Sequence, residues 1–368
     1  MRGSSQQVML DSFFGSLGDD GCLQREVSDR GFAKARDHLA HSGLQRLNTF
    51  VIDKACSMGL IKRWQGLRLV AADASDFMPA LRQFKTKDLA ALPKQHLFSL
   101  YLPGSELTLF AQLHSENTCE RQMLVEATSQ LLPDDLLILD RGYPATWLVA
   151  YLNERNIRFC MRCDKVNGWK AMRSLLASGH DEALATLAKP NAQDAADFQL
   201  SGAAPQVRFV RYITPDGQVR MLATNLPADK FPSDVFGDLY HQRWRIEKSF
   251  KRLKHGYKLE SVSGLTQQAV LIDVHAKVLA DNLSSLVCMG AIEEVRLAAS
   301  GYQCNRTYAA QCLQRLLPRM VTGLGCLAEL LDKALSSLIG TAVKQRPGRT
   351  AERPKNHVKP HPSMAYKG

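Results

Sequence analysis

Three carboxylates and one basic helix supply the residue types that phosphoryl-transfer chemistry needs. Asp73 closes an alternating apolar run at 67–72, Asp140 closes a wholly apolar run at 136–139, and Glu247 lies within 240–258, which holds seven Lys or Arg and a single acid. Hard carboxylate oxygens from separate segments can hold a divalent cation such as Mg2+, and basic residues beside them can hold phosphates. At roughly 100° per residue, Tyr240, Arg243, Glu247 and Lys254 share a helical arc of about 60°, bordering a core-facing stripe of Leu239, Ile246, Phe250 and Leu253. Arg141 beside Asp140 and Lys251 on the same helix add further positive charge. Taken singly, each acid has a plainer reading. Arg243 with Glu247, and Glu247 with Lys251, are ordinary i,i+4 pairs, and a strand-terminal Asp is often a cap or turn residue. Two strand-end aspartates, a helical glutamate and the densest basic helix in the chain together favour a joint role.

The elements that must position these groups follow from the hydrophobic pattern. The first 65 residues are helical, with Ser28 as an N-cap ahead of Phe32, Ala35 and Leu39. The run 67–72 reads as a strand. Two β-compatible runs, 96–102 and 106–113, flank Pro103-Gly104-Ser105 and predict a hairpin. A helix at 118–132 stops at Pro133. Then come a strand at 136–139, covered on both faces, a helix at 147–155 and a strand at 157–163. This order predicts an α/β core with a mixed sheet. Regular alternation is lost from 164 to about 225, where β-like runs at 207–213 and 219–224 suggest an inserted β-rich module. One long helix, capped by Ser233 or Asp234 and running to about Gly256, should follow, then helices at 270–289 and within 302–338. The expected divisions are a helical, DNA-binding domain at 1–65, a core at 66–163 and 226–300 split by the insertion at 164–225, a helical region at 301–340 and a tail at 341–368.

Composition narrows the class. The 368 residues are 45% hydrophobic and 23% charged, ordinary globular values that exclude wholesale disorder and collagen-like repeats. No apolar run approaches the roughly 20 residues that span a bilayer, so a soluble cytoplasmic protein is expected. Lys and Arg outnumber Asp and Glu by 47 to 36, a net +11. Seven of these bases lie in 341–368 against the single acid Glu352, with four prolines, which reads as a disordered cationic tail. A polyanionic partner, nucleic acid rather than membrane, is the natural inference. Nine scattered cysteines predict reduced thiols. Cys160 and Cys163 fall on opposite faces of a strand, with no second pair to complete a zinc site.

The string Tyr240-x2-Arg243-x3-Glu247-x6-Lys254 resembles the Y-x2-R-x3-E-x6-K signature of bacterial insertion-sequence transposases of the IS-four type. Ala72-Asp73-Ala74-Ser75 is similar to the family's first-aspartate segment, Asp140-Arg141-Gly142-Tyr143 to its second, and 221–227 to the strand that leads its inserted module back to the core. The likeness covers roughly residues 28–286. It implies a ribonuclease H-like core whose DDE triad, Asp73, Asp140 and Glu247, binds two Mg2+ ions, with Mn2+ as a substitute. It further implies that Tyr240, Arg243 and Lys254 hold the terminal DNA strand, the tyrosine through a phosphate or a flipped base. The partners implied are double-stranded transposon ends and target DNA, bound by a dimer in the synaptic complex. Relatives that cut through a DNA hairpin place a tryptophan where Gln218-Val219-Arg220-Met221 stands here, so a hairpin intermediate is not carried over. The rival readings are a catalytically inactive DNA-binding remnant or repressor, and a two-carboxylate hydrolase of small substrates, which 7% aromatics support poorly.

Overall fold

The computed structural model describes residues 5–18, 22–79, 94–164, 168–215, 217–264, 266–295 and 301–344. Most of the basic tail, from 345 on, lies outside them. Two compact units are present. One comprises Met1–Val51, Phe77–Lys94 and Lys251–Gly368, and the other Ile52–Asp76 and Gln95–Phe250.

Helices α1 (Gln6–Leu17), α2 (Asp29–Asp37) and α3 (His41–Ser57) open the chain. The Ser28 hydroxyl accepts from the Gly31 N–H, so the expected cap of α2 is formed. The second unit then follows the order β1 (Arg68–Phe77), β2 (Gln95–Leu102), β3 (Leu107–Ser115), α4 (Glu120–Ala127), β4 (Asp135–Leu139), α5 (Thr146–Glu154) and β5 (Arg158–Cys163). Strands β2 and β3 form the antiparallel hairpin read from Pro103-Gly104-Ser105. Both β1 with β4 and β4 with β5 pair in parallel, the geometry that a connecting helix such as α5 permits. The mixed α/β sheet expected from the sequence is therefore present.

The segment after β5 continues the same sheet. It contains α6 (Lys170–Ser178), β6 (Glu182–Thr186), α7 (Ala192–Asp197), β7 (Gln206–Ile213) and β8 (Val219–Thr224). Because β8 pairs antiparallel with β5, and β7 with β8, eight strands run in the order β3-β2-β1-β4-β5-β8-β7-β6. The centre is apolar on both faces: Leu136, Leu137, Ile138, Leu139, Phe159 and Cys160 are fully buried.

The long helix expected up to Gly256 is instead broken. Ser233–Val235 forms a 3-10 turn, followed by α8 (Phe236–His241), α9 (Trp244–Lys251) and a π-turn over Arg252–Gly256. At the junction, Arg243 N–H donates to Tyr240 C=O at 3.1 Å and Ile246 N–H to Arg243 C=O at 3.2 Å, the i,i+3 bonds of a tightened turn.

In the first unit, α10 (Gln267–Val295) packs against α11 (Arg306–Thr322) and α12 (Leu327–Gly340), with the short β9 (Tyr302–Gln303) and β10 (Val343–Lys344) paired beside them. Buried Asp281 of α10 receives Arg252 through two hydrogen bonds of 2.5 and 2.8 Å. Asn282 donates to Asn48 at 2.6 Å, also within the core. Polar groups this deep are tolerated because each is paired.

Candidate active site

The register of β1 and β4 sets the first two acids. Their couples run from Arg68–Asp135 to Ala71–Ile138. Two residues further along each segment stand Asp73, within β1, and Asp140, just past the end of β4. The opposite end of the pair is locked by the buried Arg68–Asp135 fork, with hydrogen bonds of 2.5 and 2.7 Å. Strand β1 continues to Phe77, so Asp73 lies within the strand rather than at its end as expected from the sequence. Residues 73–76 are half-buried and Phe77 at the end of the strand is buried, so the strand runs on past the apolar run. Asp140 does follow the last residue of β4. Its Oδ1 accepts from the Gly142 N–H at 2.7 Å and so closes the turn that ends the strand.

Arg243 brings in the third acid. Its Nη2 donates to Glu247 Oε1 at 2.8 Å, while Nη1 lies 3.7 Å from Asp73 Oδ2. The residue is 5% exposed, its guanidinium lies 5.0 Å from the Trp244 ring, and its Nε is buried without a hydrogen-bond partner. Burial works against the arginine's charge, but Tyr240, Glu247 and Asp73 outweigh it and hold the pKa above the ordinary value. The arginine thus ties two of the three acids together.

Tyr240 corrects one expectation. The tightened turn before α9 rotates it inward, and its ring, 3% exposed, packs in the cluster of Leu136, Ile138, Cys160 and Leu222. A ring so enclosed is not presented to a DNA base. Its phenol is raised in pKa chiefly by burial, with Arg243 and Arg162 opposing and Cys160 and Asp140 adding. The other basic candidates are arranged differently. Arg141 is exposed in the turn after Asp140, and Lys251 is exposed at the end of α9. Lys254 lies in the π-turn of the first unit, 3.5 Å from Glu260. The π-turn breaks the 3.6-residue period that had put Lys254 on the arc of Glu247.

Two groups were missed. Glu120, the first residue of α4, has its carboxyl pKa raised by burial and by Asp140. In sequence it looks like any acid in a helix first turn. Tyr143 is fully buried, its phenol has no hydrogen-bond partner, and burial with Glu120, Asp73 and Asp140 pushes its pKa well up. Asp73 is affected most among the acids: burial, then Glu120, raise its carboxyl to about 7, Asp140 adding and Arg243 opposing.

Among the described residues no three His, Cys, Asp or Glu side chains stand close enough to hold a metal ion as they are placed. Arg243 occupies the space between Asp73 and Glu247. The donor chemistry nonetheless fits a hard divalent cation: the groups are carboxylates, and Asp73 is short of positive charge even with Arg243 beside it.

A family model described as a transposase DDE domain matches residues 64–283, more than half of the chain. No curated protein matches it. Among solved structures, the chain is similar to the cryo-EM structure of a piggyBac transposase synaptic complex with hairpin DNA. The identity is 8% and the TM-score 0.42, over 95% of this chain and 80% of that one.

Proposed function

The chain belongs to the transposase DDE domain family and is a DNA-cleaving and DNA-joining enzyme, and from that premise we propose that Asp73, Asp140 and Glu247 are its catalytic acids. The observation that carries the assignment is the level placement of Asp73 and Asp140 beyond the paired part of β1 and β4, with Arg243 linking Asp73 to Glu247. The acids would hold two divalent ions, Mg2+ or Mn2+, which supply charge against the phosphate oxygens and lower the pKa of an attacking oxygen.

The chain's own groups supply the rest. Arg243, buried and always charged, would fix the scissile phosphate by a planar fork once a cation takes over the acids. Tyr240, through its hydroxyl, and Arg141 would hold a terminal phosphate, and Lys251 and Lys254 would contribute contacts to the DNA backbone. The spacing Tyr240-x2-Arg243-x3-Glu247-x6-Lys254 supports the narrower reading, an insertion-sequence transposase of the IS-four type with a ribonuclease H-like core. It would act on its own double-stranded ends as a dimer, with the N-terminal helices contributing DNA binding.

The test uses a DNA end with and without a pre-formed nick. Asp73→Asn, Asp140→Asn and Glu247→Gln should each lower Mg2+-dependent cleavage by about 10³-fold or more, while end binding in a chelator changes less than about threefold. Near-normal cleavage by any one of the three would remove that residue from the catalytic set.

A further inference from the structure

The turn that follows Asp140 is shared with an acid outside the DDE set. A β-carbon built on Gly142 would lie 3.1 Å from Asp140 Oδ1 and 3.7 Å from Glu120 Oε2, so both carboxylate oxygens are within 4 Å of one point beside this glycine. The start of α4 is held against the turn by its second residue. Arg121 Nε donates to the Tyr143 carbonyl at 3.1 Å and Nη2 to the Pro144 carbonyl at 3.4 Å, which ties the first turn of α4 to this loop. The Tyr143 phenol is fully buried and unpartnered, within electrostatic reach of Glu120, Asp73 and Asp140 and of Arg243, which opposes them. A buried hydroxyl without an acceptor costs about 1–3 kcal/mol, so a ligand oxygen seated among these acids would satisfy it.

We propose that Glu120 is a fourth carboxylate of the active site and joins Asp140 in holding a divalent cation. The proposal rests on the assignment of Asp140 above, and goes beyond it by adding a ligand from a separate element, α4. Three features favour a ligand over a chance acid: the glycine that leaves room for both oxygens, the Arg121 clamp, and the donor with no partner. A side chain at 142 would fill the space those oxygens face.

The test reads metal binding directly, by titrating the full-length protein with Mn2+ and following free Mn2+ by electron paramagnetic resonance. Circular dichroism checks that each variant folds. Glu120→Gln, which keeps shape and removes charge, should weaken Mn2+ binding about tenfold or more, as loss of a ligand-shell carboxylate does. Glu120→Asp, with its shorter arm, should fall between that variant and wild type, and serves as the reading if Glu120→Gln does not fold. Asp140→Asn separates the two assignments. If Asp140→Asn loses Mn2+ while Glu120→Gln and Glu120→Asp bind as wild type, the role of Glu120 is overturned and the triad stands. If the wild-type protein takes up no Mn2+ at millimolar concentration, both assignments fail together.

Discussion

Asp73 of β1 and Asp140, which directly follows the neighbouring parallel strand β4, each come two residues past the last paired couple, Ala71 and Ile138. Burial, then the charges of Glu120 and Asp140, disfavour charge on Asp73, whose carboxyl is raised to about 7 despite Arg243. An acid whose folded pKa exceeds its unfolded one binds more protons when folded, so stability falls as pH rises from about 4 to 7 and stays lowered above that. In a chelator at pH 8, Asp73→Asn should therefore be more stable than wild type by about 1–3 kcal/mol, and the gain should vanish near pH 4. Thermal melts at the two pH values check this. A lower melting temperature for the variant at pH 8 would show that Asp73 is a stabilising partner of Arg243 and little else.

Arg243 is the counterpart of that strain. Removing it leaves Asp73 and Glu247 without their shared cation, so Arg243→Ala should lose about 1–3 kcal/mol in metal-free buffer. Added Mn2+ should restore much of that loss, because a divalent ion replaces the missing charge. Cleavage should stay impaired in both conditions, and Arg243→Lys should recover part of it, having charge without the fork. Differential scanning calorimetry with and without Mn2+, run beside a cleavage assay, separates the two effects.

Tyr240 divides into a ring that packs in the core and a hydroxyl whose loss leaves that packing intact. Tyr240→Ala should cost about 3–5 kcal/mol, as large-to-small changes in a core do. Tyr240→Phe should hold stability within about 1 kcal/mol and still lower cleavage, since only the polar tip is lost. Equal cleavage by Tyr240→Phe and wild type would assign the residue to the core alone.

The first unit carries its own pH dependence. His275 of α10 is 5% exposed and stacks on His41 at 5.9 Å, and burial, helped by His41, lowers its pKa to about 4. The unfolded chain binds this proton near 6.5, so the stability is complete above that value and is lost as pH falls toward 4. His275→Phe should flatten the drop between pH 6.5 and 4 by about 2–3 kcal/mol, measured by urea unfolding.

What the sequence disclosed depended on periodicity and on local spacing. The apolar runs ending near Asp73 and Asp140 marked each acid as belonging to a strand, and that the two strands are neighbours comes from the structure. The link from Arg243 to Glu247 was visible as an i,i+4 pair. Three points were not legible. The wheel assumed an unbroken helix, whereas 3-10 bonds around Arg243 turn Tyr240 into the core and a π-turn takes Lys254 off the arc. Glu120 approaches Asp140 only through tertiary contact, across the Arg121 bonds to the 143–144 backbone. The joining of β8 to β5 couples segments some 60 residues apart, which no local pattern encodes.

That joining has a consequence for how the chain tolerates shortening. Strand β5 lies between β4 and β8, and its residues Phe159, Cys160 and Met161 are completely enclosed. If residues 164–225 were excised, one side of this apolar strand would offer unsatisfied N–H and C=O groups as an open edge, the template on which chains add to one another and aggregate. The segment therefore moves the edge of the sheet from apolar β5 out to the largely exposed β6, and a minimal catalytic core cut from this protein would need a substitute cover on β5 to stay soluble.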